Sequence, residues 1–412
     1  MRRGGRLTTE PGAESNATPA RVQFSEKLLP LEGLRGIAAV VVVVHHLRLE
    51  MFQETYLRIF HRLGPIEKKL LDGAINGTFA VWLFWVMSAM VLSLRFFRSA
   101  TPAAGRDILA DAAIRRYPRL AIPVLASVLF AWCLMATGLD RRGEMIAVFG
   151  PGGGDGSIGT AVSPGLVDAI RSALWDTFFA YRSSQAYNGV LWTMEKELLG
   201  SWFLFAWLAL LGGERQRLLF AVLTAVVVYM MSLDWLGAFV VGALLCDVFV
   251  NGVPGDDRVV AWWRRSSGLV HGMPMFVAGV PVLLFLAGIS NRGPYYMVLA
   301  SVVTAFALTS GPARRVLSTS PALFLGKISF GLYLVHAPLI PAVVIPVVEF
   351  VDMFAPRPIA AVVAAVSVML LSVLCGWAFW FLVDRHSVSI ARLIAIRISG
   401  PSSLYRRWGS AA

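Results

Sequence analysis

The stretch LEGLRGIAAVVVVVHHL at residues 31–47 decides the fold of this chain. Its run of small and branched apolar residues covers most of the roughly 20 residues that a helix needs to cross a bilayer. His45 and His46 lie inside this run, where polar side chains are costly and are functional candidates by default. The stretch therefore predicts a transmembrane helix that carries chemistry.

The composition extends this interpretation to the whole chain of 412 residues. Hydrophobic residues make up 57% of it and charged residues only 15%, whereas a soluble domain has about 25% charged residues. A mean hydropathy of +0.67 excludes an ordinary soluble enzyme. Apolar segments recur about ten times between charged or turn-forming residues, which predicts about ten transmembrane helices. These segments lie at about 34–49, 78–97, 119–137, 198–212, 217–233, 235–250, 268–289, 295–310, 328–350 and 358–384.

Basic residues are distributed unevenly between the two sides that ten helices define. About 25 of the 37 lysines and arginines fall on the side of the two chain ends, an excess typical of the cytosolic side. We therefore expect an all-α polytopic membrane protein with both termini cytosolic. We also expect a disordered cytosolic tail at 1–30, a membrane domain at 31–390 and a cytosolic C-terminal tail at 391–412.

Other sequence features exclude several classes of protein. The net charge of +12 comes from basic residues that flank apolar segments, so nucleic acid is not an expected partner. Cys133, Cys246 and Cys375 all lie in apolar segments, which argues against a disulfide framework or a metal cluster. The glycine-rich PGGGDGSIG at 151–159 lacks the Lys-Ser/Thr of a phosphate-binding loop and is interpreted as a flexible connector.

Arg35 and His46 are predicted to share one face of the first helix. They are eleven residues apart, which corresponds to three turns plus about 20° and to about 16 Å along the axis. His45 points about 80° away from that face. A neutral imidazole can accept a proton from a hydroxyl group, so His46 is the candidate base. The alternative for both histidines is a hydrogen bond to a neighbouring helix.

The segment RRYPRL at 115–120 places arginines on one side of the third apolar segment. Arg116 and Arg119 are three residues apart, and Arg115 and Arg119 are four apart, so two guanidinium groups can converge. Converging guanidinium groups match phosphate oxygens. Arginines at a cytosolic helix end also fix topology, and the spacing alone leaves both interpretations open.

Two later segments place further polar groups at helical spacing. In LWTMEKE at 191–197, Thr193 and Glu197 share a face, although a carboxylate at a helix entrance is often only a favourable first-turn charge. In the ninth apolar segment Ser329, Tyr333 and His336 lie on one face. Such residues usually face a cavity or a partner helix, and a structural role is the main alternative to a functional one.

At these motifs the chain resembles the acyltransferase-3 family of integral membrane O-acyltransferases over about residues 30–390. The opening stretch is similar to the family's D-G-L-R-G-(I/L)-A-A motif, with its arginine at Arg35 and a histidine eleven residues later at His46. The other similar segments are FAVWLFWVMSAMVLS at 79–93 (F-F-x-(L/I)-S-G-(F/Y)), RRYPRL at 115–120 (Arg-x-x-Arg), LWTMEKE at 191–197 (L-W-(S/T)-x-x-x-E) and LGKISFGLYLVHAP at 325–338 (L-G-x-x-S-(Y/F)-x-(L/I)-Y-L-x-H).

The chain departs from the family pattern at a few positions. Glu32 stands where the family usually has Asp, and Trp85 and Ala89 stand where it has a Phe and a Gly. In VDRHSV at 383–388, His386 occupies a position that is often proline. None of these changes removes a group that the resemblance makes catalytic. The chain resembles the stand-alone form of the family, without a hydrolase-like extracytoplasmic domain.

The resemblance implies transfer of an acyl group, most commonly acetyl, from acyl-CoA to a hydroxyl of a cell-surface glycan or lipid-linked sugar. Acyl-CoA, usually acetyl-CoA, would be the donor substrate, with no bound cofactor, in a multi-pass protein of the plasma (inner) membrane. Acylation of a small secondary metabolite such as a macrolide is the alternative acceptor class. A proton-coupled transporter is the alternative outside the enzymes, because intramembrane His, Arg and Glu can also carry protons.

The resemblance also implies roles for the candidate residues. His46 would act as general base or transient acyl carrier, and Arg35 would position the donor or stabilise the oxyanion. Arg116 and Arg119 would hold the CoA phosphates at the cytosolic face, while Glu197 would orient the acceptor from the outer side. Possible supporting residues are His45, Trp192, Thr193, Ser329, Tyr333 and His336.

Overall fold

Helix α1, Leu29–Met51, contains the stretch quoted above and begins with Pro30 in its first turn. The computed structural model describes residues 28–150, 165–252, 273–290 and 292–399, and every regular element within these ranges is helical. This confirms the all-α class. The helices after α1 are α2 Gln53–Arg62, α3 Pro65–Ala74, α4 Gly77–Phe97, α5 Pro102–Ala136, α6 Arg142–Phe149, α7 Leu166–Arg171, α8 Thr177–Phe179, α9 Trp192–Leu211, α10 Arg217–Met230, α11 Asp234–Asn251, α12 Met273–Ala287, α13 Gly293–Thr309, α14 Gly311–Leu317, α15 Ser320–Asp352, α16 Arg357–Phe379 and α17 Arg385–Ser399.

Within the described ranges, six helical segments are long and apolar enough to cross a membrane, and the bent pair α13–α14 gives a seventh if it is one span. The chain is thus a polytopic membrane protein, while the count of ten and the cytosolic termini stay predictions. Helices α10 and α12 are 14 and 15 residues long, shorter than the roughly 20 residues that a full span requires. The six segments are Leu29–Met51, Gly77–Phe97, Pro102–Ala136, Asp234–Asn251, Ser320–Asp352 and Arg357–Ile398.

The ends of the chain are described only in part. Helix α1 starts at Leu29, and residues 1–27 of the expected N-terminal tail lie outside the described residues. Helix α17 continues to Ser399 and so passes the expected domain boundary at 390. The glycine-rich segment at 151–159 also lies outside the described residues. The expectations of a disordered tail and a flexible connector therefore remain predictions.

Helices α1 and α15 pack side by side in parallel, and glycine sets their distance. A Cβ at Gly36 would lie 2.5 Å from the amide nitrogen of Gly326, and a Cβ at Gly326 would lie 2.1 Å from the carbonyl oxygen of Glu32. Only glycine permits backbones to approach this closely. Ten residues beyond Gly36 and Gly326, His46 and His336 lie side by side. The glycine contact therefore also sets the register of the two histidines.

Proline inside α15 opens a backbone carbonyl to other helices. Pro338 has no N–H, so the carbonyl of Leu334 lacks its usual partner four residues later. The hydroxyl of Ser127 and the side-chain amide of Asn188 both donate to this oxygen, each at 2.8 Å. Helix α5 and the buried segment before α9 are thereby tied to α15 in the interior.

Candidate active site

A cavity of about 290 Å³ lies where α1, α4, α5, α9 and α15 meet. Four charged side chains border it within an otherwise mostly apolar wall that includes Trp85, Phe84 and Phe330. Charges inside a membrane protein are expensive and usually mark a substrate path or a reaction site. The polar residues of the lining are Arg35, Ser88, Arg116, Arg119, Thr193, Glu197, Ser329 and Tyr333.

Arg116 and Glu197 form an ion pair at the wall of the cavity. Arg116 Nε also donates to Ser201 Oγ at 2.8 Å, and Ser88 Oγ donates to Glu197 Oε1 at 2.5 Å. The sequence assigned Arg116 to the cytosolic face and Glu197 to the outer end of its helix. In the structure the two groups lie in one place, because α9 begins deep in the bundle, with the preceding residues 186–191 buried.

Arg119 is held by groups at the other end of the chain. Its Nη1 lies 2.6 Å from Asp384 Oδ1 and 2.5 Å from Ser387 Oγ. Asp384 ends a π-helical turn, Trp380–Asp384, that follows α16. Such turns insert an extra residue and often occur at functional sites. Arg115 instead pairs with Asp111 at 2.5 Å, so Arg115 and Arg119 do not converge.

Arg35 differs from the other two cavity arginines. Among the described residues no hydrogen bond or ion pair holds its half-buried guanidinium group, although the charges of Asp384 and Glu197 act on it. Arg116 and Arg119 are each held by a carboxylate, and Arg35 carries its charge at the cavity without such a partner.

His46 and His336 contact each other ten residues C-terminal to the contact between Gly36 and Gly326. His46 Nδ1 lies 2.9 Å from the carbonyl oxygen of Val42 and 3.3 Å from His336 Nε2. His336 is fully buried, and its Nδ1 lies 3.2 Å from the carbonyl oxygen of Leu332. A carbonyl oxygen only accepts, so Nδ1 carries the proton in both rings. Nε2 of each neutral ring then carries the lone pair.

Tyr333 connects this histidine pair to the cavity. Its ring borders the cavity and lies 5.9 Å from that of His336 between centroids. Its hydroxyl donates to the carbonyl oxygen of Val190 at 2.7 Å and lies 2.8 Å from Thr193 Oγ1. Ser329, one turn earlier, borders the cavity and donates to the carbonyl oxygen of Gly326 at 2.7 Å.

His45 and Trp192 lie apart from this group. His45 Nδ1 donates to the carbonyl oxygen of Ile75 at 2.9 Å, and a Cβ at Gly77 would lie 2.6 Å from the His45 ring. Trp192 packs edge-on against Trp85, 6.2 Å between ring centroids. These contacts fix the loop before α4 and the start of α9.

Sequence reasoning missed four residues of the site. Ser88 and Ser201 complete the Arg116–Glu197 pair, and Asp384 and Ser387 hold Arg119, but each lies in or beside a long apolar segment. Polar side chains in membrane segments cost free energy unless they have a partner. Each of these residues was therefore recognisable from the sequence as a candidate for a buried contact. Their partners lie 28 to 268 positions away in the chain, so spacing could not reveal them.

The described residues form a polytopic helical bundle with a charged, partly apolar cavity between its helices. A family model described as "Acyltransferase domain" matches residues 29–381, and the chain belongs to this acyltransferase-3 family. The chain is also similar to the O-acetyltransferase PaAT-1 of Phomopsis amygdali, at 26% identity over 373 residues, covering 75% of this chain and 71% of that protein. No solved structure matches it. The chain is therefore a membrane O-acyltransferase.

Proposed function

We propose that the protein transfers an acetyl group from acetyl-CoA to a hydroxyl of a cell-surface glycan or lipid-linked sugar at the plasma membrane. The observation that carries this proposal is the cavity itself. It is bordered by Arg35, Arg116, Arg119 and Glu197, and Tyr333 links it to the histidine pair. The cationic groups suit a phosphate-bearing donor, and the histidines suit proton transfer from a hydroxyl.

The cavity volume supports a division of the donor between two places. At about 290 Å³ it lies just below the range of about 300–1,000 Å³ that is typical of ligand pockets, so it suits the acyl-pantetheine arm and not the whole donor. The nucleotide would remain at the cytosolic mouth. Arg35 offers a guanidinium without a carboxylate partner there, and Arg116 and Arg119 retain N–H groups beyond those already bonded.

His46 would act as general base. It lies on the same face of α1 as Arg35, about 16 Å further from the cytosolic end of the helix. Its Nε2 takes the proton of the acceptor hydroxyl while the hydroxyl oxygen attacks the thioester carbonyl carbon. The carbon–sulfur bond then breaks, and the leaving thiolate receives the proton to give CoA. Transient acylation of His46 uses the same nitrogen and the same overall balance. Arg35 lies about 16 Å from His46 along the axis of α1, so it would position the donor rather than stabilise the oxyanion.

Glu197 would orient the acceptor. Its carboxylate borders the cavity, is fixed by Arg116 and Ser88, and can accept hydrogen bonds from hydroxyl groups. A site built around such acceptors favours a polyhydroxyl substrate over an apolar one, because a missing hydroxyl would leave a buried polar group unpaired. A sugar meets this requirement.

The test uses the full-length protein in liposomes that contain a lipid-linked sugar fraction, with acetyl-CoA outside or inside. Mass spectrometry measures the acetyl group added to the sugar. We expect His46→Ala to lower the rate by about 10²–10⁴-fold, as for loss of a general base. Arg116→Ala should also lower it strongly.

Arg115→Ala is the matched control, because Arg115 pairs with Asp111 and does not border the cavity. It should keep the wild-type rate. Acetylation of a macrolide but not of the sugar would move the acceptor to small metabolites. Proton-driven solute uptake without acyl-CoA, together with no acetyl transfer, would replace the enzyme mechanism by transport.

A further inference from the structure

We propose that His336 is a positioning residue for His46: it accepts a hydrogen bond from His46 Nδ1–H and so directs the lone pair of His46 Nε2 toward the reaction. The effect of this hydrogen bond on a reaction rests on the function proposed above. The contact itself is a property of the folded chain and can be tested without substrate.

The direction of the hydrogen bond follows from the carbonyl partners. His46 Nδ1 lies 2.9 Å from Val42 O, and His336 Nδ1 lies 3.2 Å from Leu332 O. Both Nδ1 atoms must donate, because carbonyl oxygens cannot. His336 Nε2 is therefore an acceptor, and it faces His46 Nδ1 at 3.3 Å. The His46 proton is shared between Val42 O and His336 Nε2.

The arrangement fits a positioning role because His336 is itself enclosed by the bundle. It is fully buried. The Gly36–Gly326 contact between the parallel helices α1 and α15 fixes its position along the axis of α1. The Tyr333 ring lies beside it on the cavity side, 5.9 Å between the two ring centroids. A partner that cannot move fixes the ring orientation and tautomer of the histidine it contacts.

The contact also changes as the reaction proceeds. When His46 Nε2 takes the proton of the acceptor hydroxyl, the ring becomes cationic. Its Nδ1–H then makes a charge-assisted hydrogen bond, which is roughly twice as strong as a neutral one. His336 thus stabilises the form of His46 that exists only after proton transfer, which is the condition for a contribution to rate.

The first measurement is nitrogen NMR of the ¹⁵N-histidine-labelled wild-type protein in lipid bilayers, with His46→Ala and His336→Gln used to assign two of the six histidines. We expect His46 with a protonated Nδ1 and a lone pair on Nε2, and a through-space correlation between His46 Nδ1 and His336 Nε2. A proton on His46 Nε2 in the neutral ring, or absence of the correlation, would overturn the proposal. This result does not depend on any acetyl transfer.

The second measurement compares His336→Leu with His336→Gln. Loss of a group that orients a histidine costs roughly 10–100-fold in activity, so His336→Leu should lower kcat by that factor with KM for acetyl-CoA unchanged. The amide oxygen of Gln can replace Nε2 as acceptor, so His336→Gln should recover most of kcat. Equal kcat in wild type and His336→Leu, or equal losses in Leu and Gln variants with wild-type thermal stability, would overturn it.

Wild-type protein that shows the NMR contact but transfers no acetyl group would contradict the proposed function while leaving the histidine contact established. Wild-type protein that transfers acetyl groups without the contact would do the reverse. The two proposals therefore fail separately.

Discussion

At the residue scale, two of the three cavity arginines are each compensated by a carboxylate. Arg116 and Glu197 have side chains only 13% and 14% exposed, and their opposite charges meet directly. Removing one partner of a buried pair leaves a charge without compensation, which is costly because the surroundings cannot solvate it. The pair is thus a structural requirement of the cavity.

We predict that Glu197→Ala lowers the free energy of unfolding by about 3–5 kcal/mol, the usual cost of breaking a buried ion pair from one side. The double variant Arg116→Ala/Glu197→Ala should recover part of this loss, because it removes both charges. Thermal melting of the protein in detergent, followed by tryptophan fluorescence, measures both effects.

Glu144→Ala is the matched control at an exposed pair. Glu144 contacts Arg141 at the surface, where the guanidinium group lowers the pKa of this carboxyl through its hydrogen bonds. Exposed pairs contribute little to stability, so the melting temperature should hardly change. A Glu197→Ala protein that melts with the wild type would contradict the structural role of the buried pair.

At the scale of elements, the crossing of α1 and α15 determines which side chains meet. The Gly36–Gly326 contact brings the two backbones together. Because the helices run parallel, His46 and His336, each ten residues later, lie opposite each other. Two motifs that are far apart in the chain become one site through this crossing.

We predict that Gly326→Ala destabilises the protein and reduces acetyl transfer. The added Cβ would lie 2.1 Å from the carbonyl oxygen of Glu32, so α1 and α15 must move apart. Overpacking of this kind typically costs about 1–3 kcal/mol. Thermal melting and the acetyl-transfer assay measure the two consequences, and the His46–His336 NMR correlation should weaken.

Gly143→Ala is the control for this change. Its Cβ would meet nothing within 4 Å, so stability should stay the same or rise slightly, because alanine favours helix over glycine. If Gly326→Ala and Gly143→Ala behaved alike, the close crossing of α1 and α15 would be wrong.

At the scale of the whole molecule, the orientation in the membrane decides which substrate reaches which end of the cavity. The basic residues predict cytosolic termini. With this orientation the start of α1, where Arg35 lies, faces the cytosol and the donor, and the segment before α9 faces the outer side. The proposed acceptor site near Glu197 would then be reached from the outer side through the bundle.

We predict opposite labelling of two single-cysteine variants in a background with Cys133, Cys246 and Cys375 replaced by serine. Ser184→Cys, exposed before α9, should react with a membrane-impermeant maleimide in intact cells. Gln216→Cys, exposed between α9 and α10, should react only after the membrane is opened. Reaction of both, or the reverse pattern, would contradict the predicted orientation of the chain in the membrane.

Much of the molecule follows from local sequence. The long apolar run of α1 predicts a membrane-spanning helix because its length and composition match the bilayer core. The spacing of Arg35 and His46 predicts that they share one face of this helix. The family motifs are likewise contiguous and visible in one chain. The all-α class and the membrane acyltransferase family could therefore be predicted without a structure.

Pairing across the bundle was decided only by the tertiary structure. Arg119 meets Asp384 across 265 positions, and His46 meets His336 across 290. Helical periodicity gives the face of a residue on its own helix, but the neighbour on that face depends on helix order, direction and crossing distance. In this protein those are set by close glycine contacts and by buried charges that each require a partner, and neither has a signature at fixed spacing in the sequence.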